Sequence, residues 1–236
     1  MSRDNDRPTV AHRTIEQIKG MIASGRWGPG ERLPTERQLA DELGVSRSSI
    51  REAVGALTAM GVITSRHGAG IYLTQLAAHE LLEAVGVAAE IWPDDALLHL
   101  IEVRRILESH ATAAAAARLS VEDLQRLSDL ITEMDEMGPG EAFVAADIEF
   151  HRIVVDAAGN PVITAMIDGM SGRTFRARVM RSRTQEAALR RTKDEHHRIY
   201  EALRERDPER SRMAAAQHIS GVEQWLQAVI AAGALK

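Results

Sequence analysis

The chain has 236 residues and a net charge of −5; 44% of its residues are hydrophobic, 27% are charged and none is cysteine. This composition excludes global disorder, disulfide frameworks and thiolate metal sites, so a metal site would need histidine, aspartate or glutamate. The polar N-terminus and the lack of an apolar run of about 18 residues exclude a signal peptide and a membrane span, and we expect a cytoplasmic protein.

The charge is distributed unevenly along the chain. Residues 1–75 carry 10 Lys and Arg against 8 Asp and Glu, whereas residues 76–236 carry 19 against 26. A slightly basic first segment followed by an acidic remainder favours a small nucleic-acid-binding head joined to a body with another task.

The first predicted elements are a polar tail over residues 1–8 and one helix. Ile15, Ile18 and Ile22 recur at the spacing of a single helix face. Residues 25–30 contain three glycines and a proline, so we expect the helix to end there.

Two short helices joined by a glycine turn follow. Thr35 and Gln38 have the spacing of a capping box at the start of the first helix, and Gly44 is expected to end it. Ser46 is a suitable cap for the second helix. Two short helices around a tight turn are the helix-turn-helix pattern, whose second helix enters the major groove of DNA.

The segment after the second helix predicts a two-stranded hairpin. Residues 61–65 and 71–74 have strand composition, and residues 66–70 place two glycines at the tip between them. A hairpin in this position would form the wing of a winged helix-turn-helix.

The predicted DNA contacts lie in both helices and at the tip of the wing. Arginine donates two hydrogen bonds to a guanine edge, while serine hydroxyls and helix-start amides suit phosphates. The candidates are Arg37, Ser46, Arg47, Ser48, Ser49, Arg51, His67 and Gly68. The alternative is that the arginines are solvated charges on an exposed helix, and the ordered set of cap, turn, serines and wing argues against it.

The remainder of the chain predicts helices only. Residues 76–91 form a connecting helix that Trp92 and Pro93 interrupt, and five or so longer helices follow. Their expected starts are marked by Asp94, by Ser120 with Asp123, by residues 138–140, by Asn160 before Pro161, by Thr184 and by Asp207 before Pro208. We predict a mainly α protein with a DNA-binding domain over residues 1–75, a connecting helix over 76–93 and an antiparallel helical bundle over 94–236.

Three of these helices direct histidine into an apolar face. The stripes are Phe143, Asp147, His151, Val154 and Ala158, then Thr192, His196, Ile199 and Leu203, and finally Ala214, His218, Val222, Trp225 and Val229. A shared divalent ion such as Zn, Ni or Mn would satisfy Asp147, His151, His196 and His218 together. The alternative is that each histidine is a separately satisfied core residue, since periodicity cannot show that the helices meet.

Arg104 lies on the core side of its own helix, on a stripe with Leu97, Ile101, Glu108 and Ala111. Its guanidinium would bind an effector carboxylate through two hydrogen bonds. The alternative is an ion pair with Glu108 one turn further on, and the two roles are compatible if Glu108 orients Arg104. A run of five arginines near one helix end shares no single face, so it is predicted to be a solvated surface; the alternative is that Arg173 or Arg176 borders the pocket. The run consists of Arg173, Arg176, Arg178, Arg181 and Arg183.

Residues 25–73 read GRWGPGERLPTERQLADELGVSRSSIREAVGALTAMGVITSRHGAGIYL. This sequence resembles the winged helix-turn-helix of GntR-type bacterial transcription regulators, and the resemblance covers about residues 10–74. It implies that the principal DNA contacts are made by Arg37, Arg47, Arg51 and His67. It also implies that the serines at positions 46, 48 and 49 touch phosphates or bases.

Short blocks of the remaining sequence carry a second resemblance. They are EVRRILE over residues 102–108, DIEFH over 147–151, GNP over 159–161, Glu195 with His196, and the region of Gln217 and His218. These blocks resemble the FCD ligand-binding domain that follows many GntR-type heads. Many members hold a divalent metal through one Asp and three His, which match Asp147, His151, His196 and His218. The resemblance implies a small carboxylate, rather than an acyl-CoA, as the ligand at or near the metal.

These features predict a ligand-responsive transcription regulator, with repression as the commoner mode. It would bind a pseudo-palindromic double-stranded operator as a homodimer and sense a small carboxylate at the metal site, with Arg104 as an effector contact. One alternative is a metalloenzyme acting on a small carboxylate, which would need a general base beside the metal. Another is a constitutive architectural DNA-binding protein with a purely structural bundle.

Overall fold

A computed structural model describes residues 9–93, 96–184 and 186–232. Within these ranges the chain forms ten helices and one two-stranded sheet. It divides into two compact units between Ala84 and Val85, inside the segment for which the sequence predicts a connecting helix. The predicted tail over residues 1–8 and the predicted helix start at Asp94 lie outside the described residues.

The first unit is built from helices and a hairpin. In chain order the elements are α1 (Val10–Ala23), α2 (Glu36–Leu43), α3 (Arg47–Ala59), β1 (Ile63–Arg66), β2 (Gly70–Leu73) and α4 (Ala78–Ile91), which continues into the second unit. The order of elements predicted for a winged helix-turn-helix is confirmed.

Local caps define the two short helices. Thr35 Oγ1 accepts a hydrogen bond from the Gln38 amide at 3.3 Å, and Gln38 Oε1 accepts one from the Thr35 amide at 2.9 Å, so the predicted capping box is confirmed. Gly44 ends α2 with a φ of 65°, a left-handed backbone that favours glycine. Ser46 caps α3 by accepting a hydrogen bond from the Ser49 amide at 3.2 Å.

The hairpin pairs β1 and β2 antiparallel, with Ile63 opposite Leu73 and Arg66 opposite Gly70. The first strand begins two residues later than predicted, because Gly61 has a φ of 71° and belongs to the turn after α3. A side chain at Gly61 would place its Cβ 2.3 Å from the Glu80 carbonyl oxygen, so this position requires glycine.

The apolar core of the first unit collects one face of each element. Ile18, Leu39, Ile50, Leu57 and Leu73 are all buried in it. Because the core takes the inner faces, the residues at the start of α3 and at the hairpin tip lie at the surface.

The second unit is entirely helical over the described part of the chain. After the end of α4 it contains α5 (Ala96–Ala116), α6 (Val121–Glu136), α7 (Glu141–Ala157), α8 (Pro161–Thr184), α9 (Glu186–Arg204) and α10 (Pro208–Ala231). None of the described helices combines the length and the apolar content that crossing a bilayer would need.

Side-chain caps start three of these helices where the sequence predicts them. Ser120 and Asp123 form a reciprocal capping box at α6. Asn160 accepts hydrogen bonds from two amides at the start of α8, and Asp207 caps α10 with Pro208 in the first turn. Each cap satisfies amides that have no partner within the helix, so these boundaries are set by local chemistry.

One predicted helix start is wrong. Thr184 is the last residue of α8, and α9 begins at Glu186. Thr184 is helical, so it does not have the extended backbone of a helix cap, and residue 185 lies outside the described residues.

Two apolar clusters form the core of the second unit. The first includes Leu127 and Phe150, and the second includes Ile101 and Trp225. Helix α7 contributes to both, through Phe150 and Val155. The polar side chains on the inner faces of α5, α7, α9 and α10 are therefore held inside an otherwise apolar bundle.

Replacing Ser120 with alanine is expected to destabilise the second unit by about 0.5–2 kcal/mol, because the Asp123 amide loses its acceptor. The measurement is urea unfolding followed by circular dichroism. Ser128→Ala, which changes the same residue type within α6 but away from its start, is the matched control. Equal unfolding midpoints for the two variants would contradict the assigned cap.

Candidate metal centre and nucleic-acid interface

Four side chains with metal-binding chemistry converge inside the second unit. Asp147 and His151 lie one turn apart on α7, His196 lies on α9 and His218 lies on α10, and all four are buried. Each offers one ligand atom, and the four atoms lie within 4.8 Å of one another. The fold thus brings together the four residues that the sequence selects as metal ligands.

The distances place one carboxylate oxygen among three ring nitrogens. Asp147 Oδ1 lies 2.9 Å from His196 Nε2 and 3.7 Å from His151 Nε2. His151 Nε2 lies 3.1 Å from His218 Nε2. This buried group could bind a metal ion, because nitrogen and carboxylate donors at such spacing can share one cation.

The hydrogen bonding of His196 tests whether the group fits a cation. The His196 side chain is 1% exposed; its Nδ1 has no hydrogen-bond partner among the described residues, and its Nε2, although 2.9 Å from Asp147 Oδ1, does not meet hydrogen-bond geometry with it. A buried polar group without a partner is unfavourable, and a cation at Nε2 would supply one. The donor set and this unsatisfied imidazole therefore fit a bound metal.

Two further carboxylates lie behind the histidines. Glu195 Oε2 is 3.0 Å from His218 Nδ1, and Glu108 Oε2 is 3.3 Å from His151 Nδ1. In its ionised form Glu195 only accepts, so it favours the proton of His218 on Nδ1 and leaves the Nε2 lone pair directed inward. A carboxylate behind a ligating histidine also strengthens the histidine as a donor.

Burial controls the protonation of the cluster. It lowers the pKa of His151 and of His196 to about 3, and it lowers the pKa of His218 well below its ordinary value. Burial raises the pKa of Glu195 to about 7, whereas for Glu108 the same effect is outweighed by Arg104 and the pKa falls. The three imidazoles are consequently neutral at pH 7, which is the form that binds metals.

Two arginines of α8 are buried beside the cluster, and this corrects the prediction that the whole arginine run is a solvated surface. Arg178 and Arg181 are 8% and 6% exposed, whereas Arg183 is exposed as predicted. Arg178 Nη2 pairs with Asp147 Oδ2, and Arg181 Nη1 lies 3.4 Å from Thr192 Oγ1. Burial, followed by the charge of Arg104, lowers the pKa of Arg178 to about 9.

Arg104 is also buried, on α5. Its Nε donates to Glu108 Oε1 at 2.6 Å and its Nη1 donates to Thr174 Oγ1 at 2.9 Å. The intrahelical pair considered from the sequence is thus present, and it holds the guanidinium in one orientation.

The sequence contained a signal for the two buried arginines that was missed by treating the arginine run as one group. The buried apolar residues Ile167 and Met170 are followed at helical spacing by Thr174, Arg178 and Arg181. Extending the apolar stripe of α8 in this way separates Arg178 and Arg181 from the exposed Arg183. Glu195 was also missed as a site residue. It lies between the buried Thr192 and Ile199 on the inner face of α9, so extending that stripe would have identified it.

Two small cavities adjoin the cluster. The first contains polar side chains and apolar walls, and its lining includes Asp147, Arg178, Arg181, Ser182, Thr192 and His218. The second is lined by Arg104 and His151, among others. Arg178 lines both cavities.

In the first unit, the predicted DNA contacts form an exposed polar surface. Arg47 and Arg51 are exposed at the start of α3, and the Arg51 side chain, 77% exposed, is 3.5 Å from Glu36. The Ser46 hydroxyl lies 2.8 Å from that of Ser48 and 2.9 Å from that of Ser49. A helix start with free amides, hydroxyls and arginines suits both phosphates and base edges.

The remaining predicted contacts are exposed as well. Arg37 is exposed on α2, and His67 and Gly68 are exposed in the turn between β1 and β2. Gly68 has a φ of 71°, so glycine suits the tip of this turn. Arg66 stacks its guanidinium 4.6 Å from the centroid of the Tyr72 ring, which supports the hairpin below the tip.

Comparison with known families gives a match for each unit. Residues 10–73 match the family described as bacterial regulatory proteins, gntR family, and residues 99–221 match the FCD domain. Together the two matches span both the exposed polar surface and the buried cluster.

Individual relatives align over most of their length. The chain is 31% identical over 208 residues to the HTH-type transcriptional regulator LutR of Bacillus subtilis, covering 86% of this chain and 94% of the relative. It is 26% identical over 223 residues to the HTH-type transcriptional repressor NanR of Klebsiella aerogenes, covering 92% and 85%. The solved structure of Streptococcus agalactiae GntR shares the fold, with a TM-score of 0.65 at 23% identity, covering 91% of this chain and 99% of that chain.

Removing the counter-ion of a buried arginine should destabilise the metal-free protein. Glu108→Ala leaves Arg104 buried without its carboxylate partner, and we expect a loss of about 3–5 kcal/mol. Urea unfolding in the presence of a chelator measures it. Glu102→Ala, an exposed position on the same helix, should change stability by less than about 0.5 kcal/mol. A Glu108→Ala effect as small as that of the control would contradict a required ion pair.

Proposed function

The chain belongs to the gntR family of bacterial regulatory proteins and carries an FCD domain, and from this premise we propose that it is a repressor released by a small carboxylate. It is a ligand-responsive transcription regulator rather than an enzyme, since its family matches and its relatives are regulators. In the proposal a homodimer in the cytoplasm binds a pseudo-palindromic operator, and the carboxylate enters the second unit beside a divalent metal.

The buried group of Asp147, His151, His196 and His218 carries this proposal. Four converging donors in the interior are unfavourable without a cation, and their chemistry suits Zn, Ni or Mn. When bound, such an ion would supply open coordination positions to a ligand carboxylate. Glu195 and Glu108 would hold the imidazoles of His218 and His151 in the ligating orientation.

Arg104 supports the choice of a carboxylate as effector. Its guanidinium is fixed by Glu108 and Thr174, and the residue lines a cavity together with His151. A carboxylate in that cavity would meet a pre-oriented cation beside the metal ligands. An operator affinity changed tens-fold by the ligand corresponds to a coupling of about 1–3 kcal/mol.

The DNA half of the proposal assigns the contacts to the first unit. Arg47 and Arg51 would read base edges in the major groove from the start of α3, with the serines at 46, 48 and 49 on phosphates and Arg37 on the backbone or a base. His67 and Gly68 would approach the adjacent minor groove from the hairpin. A homodimer follows from the two half-sites that such recognition helices read.

The recognition helix can be tested with a duplex that the wild-type chain selects from a random pool. Arg47→Ala with Arg51→Ala should weaken binding at least about 30-fold, because each bidentate base contact contributes about 1–3 kcal/mol. Fluorescence anisotropy at fixed salt measures the affinity. The control, Arg210→Ala with Arg212→Ala, removes the same charge from exposed positions of α10. Unchanged binding by the α3 variant would refute the assignment.

The metal site can be tested by elemental analysis of the purified full chain. His151→Ala with His218→Ala should abolish stoichiometric metal, because two of four ligands are lost. Circular dichroism checks that the helices persist. His197→Ala is the control, since His197 is exposed and bonded to Asp135 rather than to the cluster. Retention of one metal per chain in the double variant would refute the site.

A further inference from the structure

Counted in their ordinary ionised forms, the buried arginines and carboxylates of the second unit balance one another. Among the described residues, the buried arginines are Arg104, Arg178 and Arg181, and the buried carboxylates are Asp147, Glu108 and Glu195. A divalent ion among neutral imidazoles would add two positive charges to this set. Buried charge is tolerated only when it is compensated, so the loaded site would need two negative charges from outside the chain.

Arg104 uses its Nε and Nη1 on Glu108 and Thr174, which orients its guanidinium for a ligand in the second cavity. Arg178 Nη1 and Arg181 Nε, in contrast, are buried and have no hydrogen-bond partner in the described residues. Two buried guanidinium donors without partners are unfavourable, and an anionic ligand would supply the acceptors that they lack.

The first cavity places both arginines along one space. Arg178 and Arg181 line it together with the hydroxyl residues Ser182 and Thr192, and with the cluster members Asp147 and His218. A ligand in this cavity would therefore have these two members of the metal-binding cluster and both arginines among its neighbours. Phe143, Val144, Leu189 and Val222 give the same cavity apolar walls that suit a short carbon chain.

We infer that the effector is a small dicarboxylate, with one acid group beside the metal ligands and the second bound by Arg181 and Arg178. This inference rests on the proposed function and names its ligand class. The second acid group of a dicarboxylate would accept a hydrogen bond from Arg181 Nε. A monocarboxylate beside the metal ligands would leave that Nε without an acceptor, so Arg181 should favour dicarboxylates. Asp147 can keep its Oδ2 pairing with Arg178 while Oδ1 faces the histidines.

The test compares acids on the zinc-loaded full chain by isothermal titration calorimetry at constant ionic strength. Malonate, succinate and malate are the dicarboxylate probes, and propionate and lactate are the monocarboxylate probes. We expect at least about 10-fold tighter binding of the best dicarboxylate, the effect of one added charge-assisted contact. Equal affinities for the two classes would overturn the inference while leaving a carboxylate-responsive regulator in place.

Variants on α8 assign the preference to a residue. Arg181→Met should lower dicarboxylate affinity to that of the monocarboxylates while one zinc per chain is retained. Arg181→Lys keeps the positive charge and serves if Arg181→Met fails to fold. It should lower dicarboxylate affinity less. Arg183→Met, exposed on the same helix, should keep the preference. A preference that survives Arg181→Met overturns the inference. If zinc binds but no acid does, the proposed carboxylate effector fails as well.

Discussion

Buried charge needs a buried partner, and this constraint organises the second unit. Arg104 is bonded to Glu108, Arg178 to Asp147, and His218 to Glu195, so each contact joins groups that would be unfavourable alone. All but the Arg104–Glu108 pair connect different helices. The polar contacts thus fix the relative placement of α7 to α10 more specifically than apolar packing alone, because hydrogen bonds require particular atoms at particular distances.

The predictable features were those that depend on nearby residues. The capping boxes at Thr35 and Ser120, the glycine at 44 and the proline after Asp207 act within one turn, so sequence spacing determined them. The inward stripes of α7, α9 and α10 were predictable for the same reason. Thr184 shows the limit of such reasoning, because a threonine with cap chemistry can also adopt helical backbone.

The features that escaped prediction depend on which helices meet. Periodicity places His151, His196 and His218 on inner faces, but only the packed bundle shows that their nitrogens share one space. Arg178 and Arg181 were predicted to be solvated because the arginine run as a whole shares no single helix face, although these two residues lie on the buried face. An arginine can be buried when a carboxylate pairs with it. The partner of Arg178 is Asp147, which lies on another helix, 31 positions earlier in the sequence.

The buried arginine donors that lack an acceptor provide a physical link between ligand binding and regulation. A ligand shifts a conformational equilibrium only through contacts that differ between the two states. The buried donors of Arg178 and Arg181 have no acceptor in the structure described here, so an anion that reaches them adds contacts that this packing of α8 lacks. The two arginines line a cavity that Asp147 of α7, Thr192 of α9 and His218 of α10 also line. An anion bound there would therefore act on four helices at once, which makes their mutual packing the element that the effector biases.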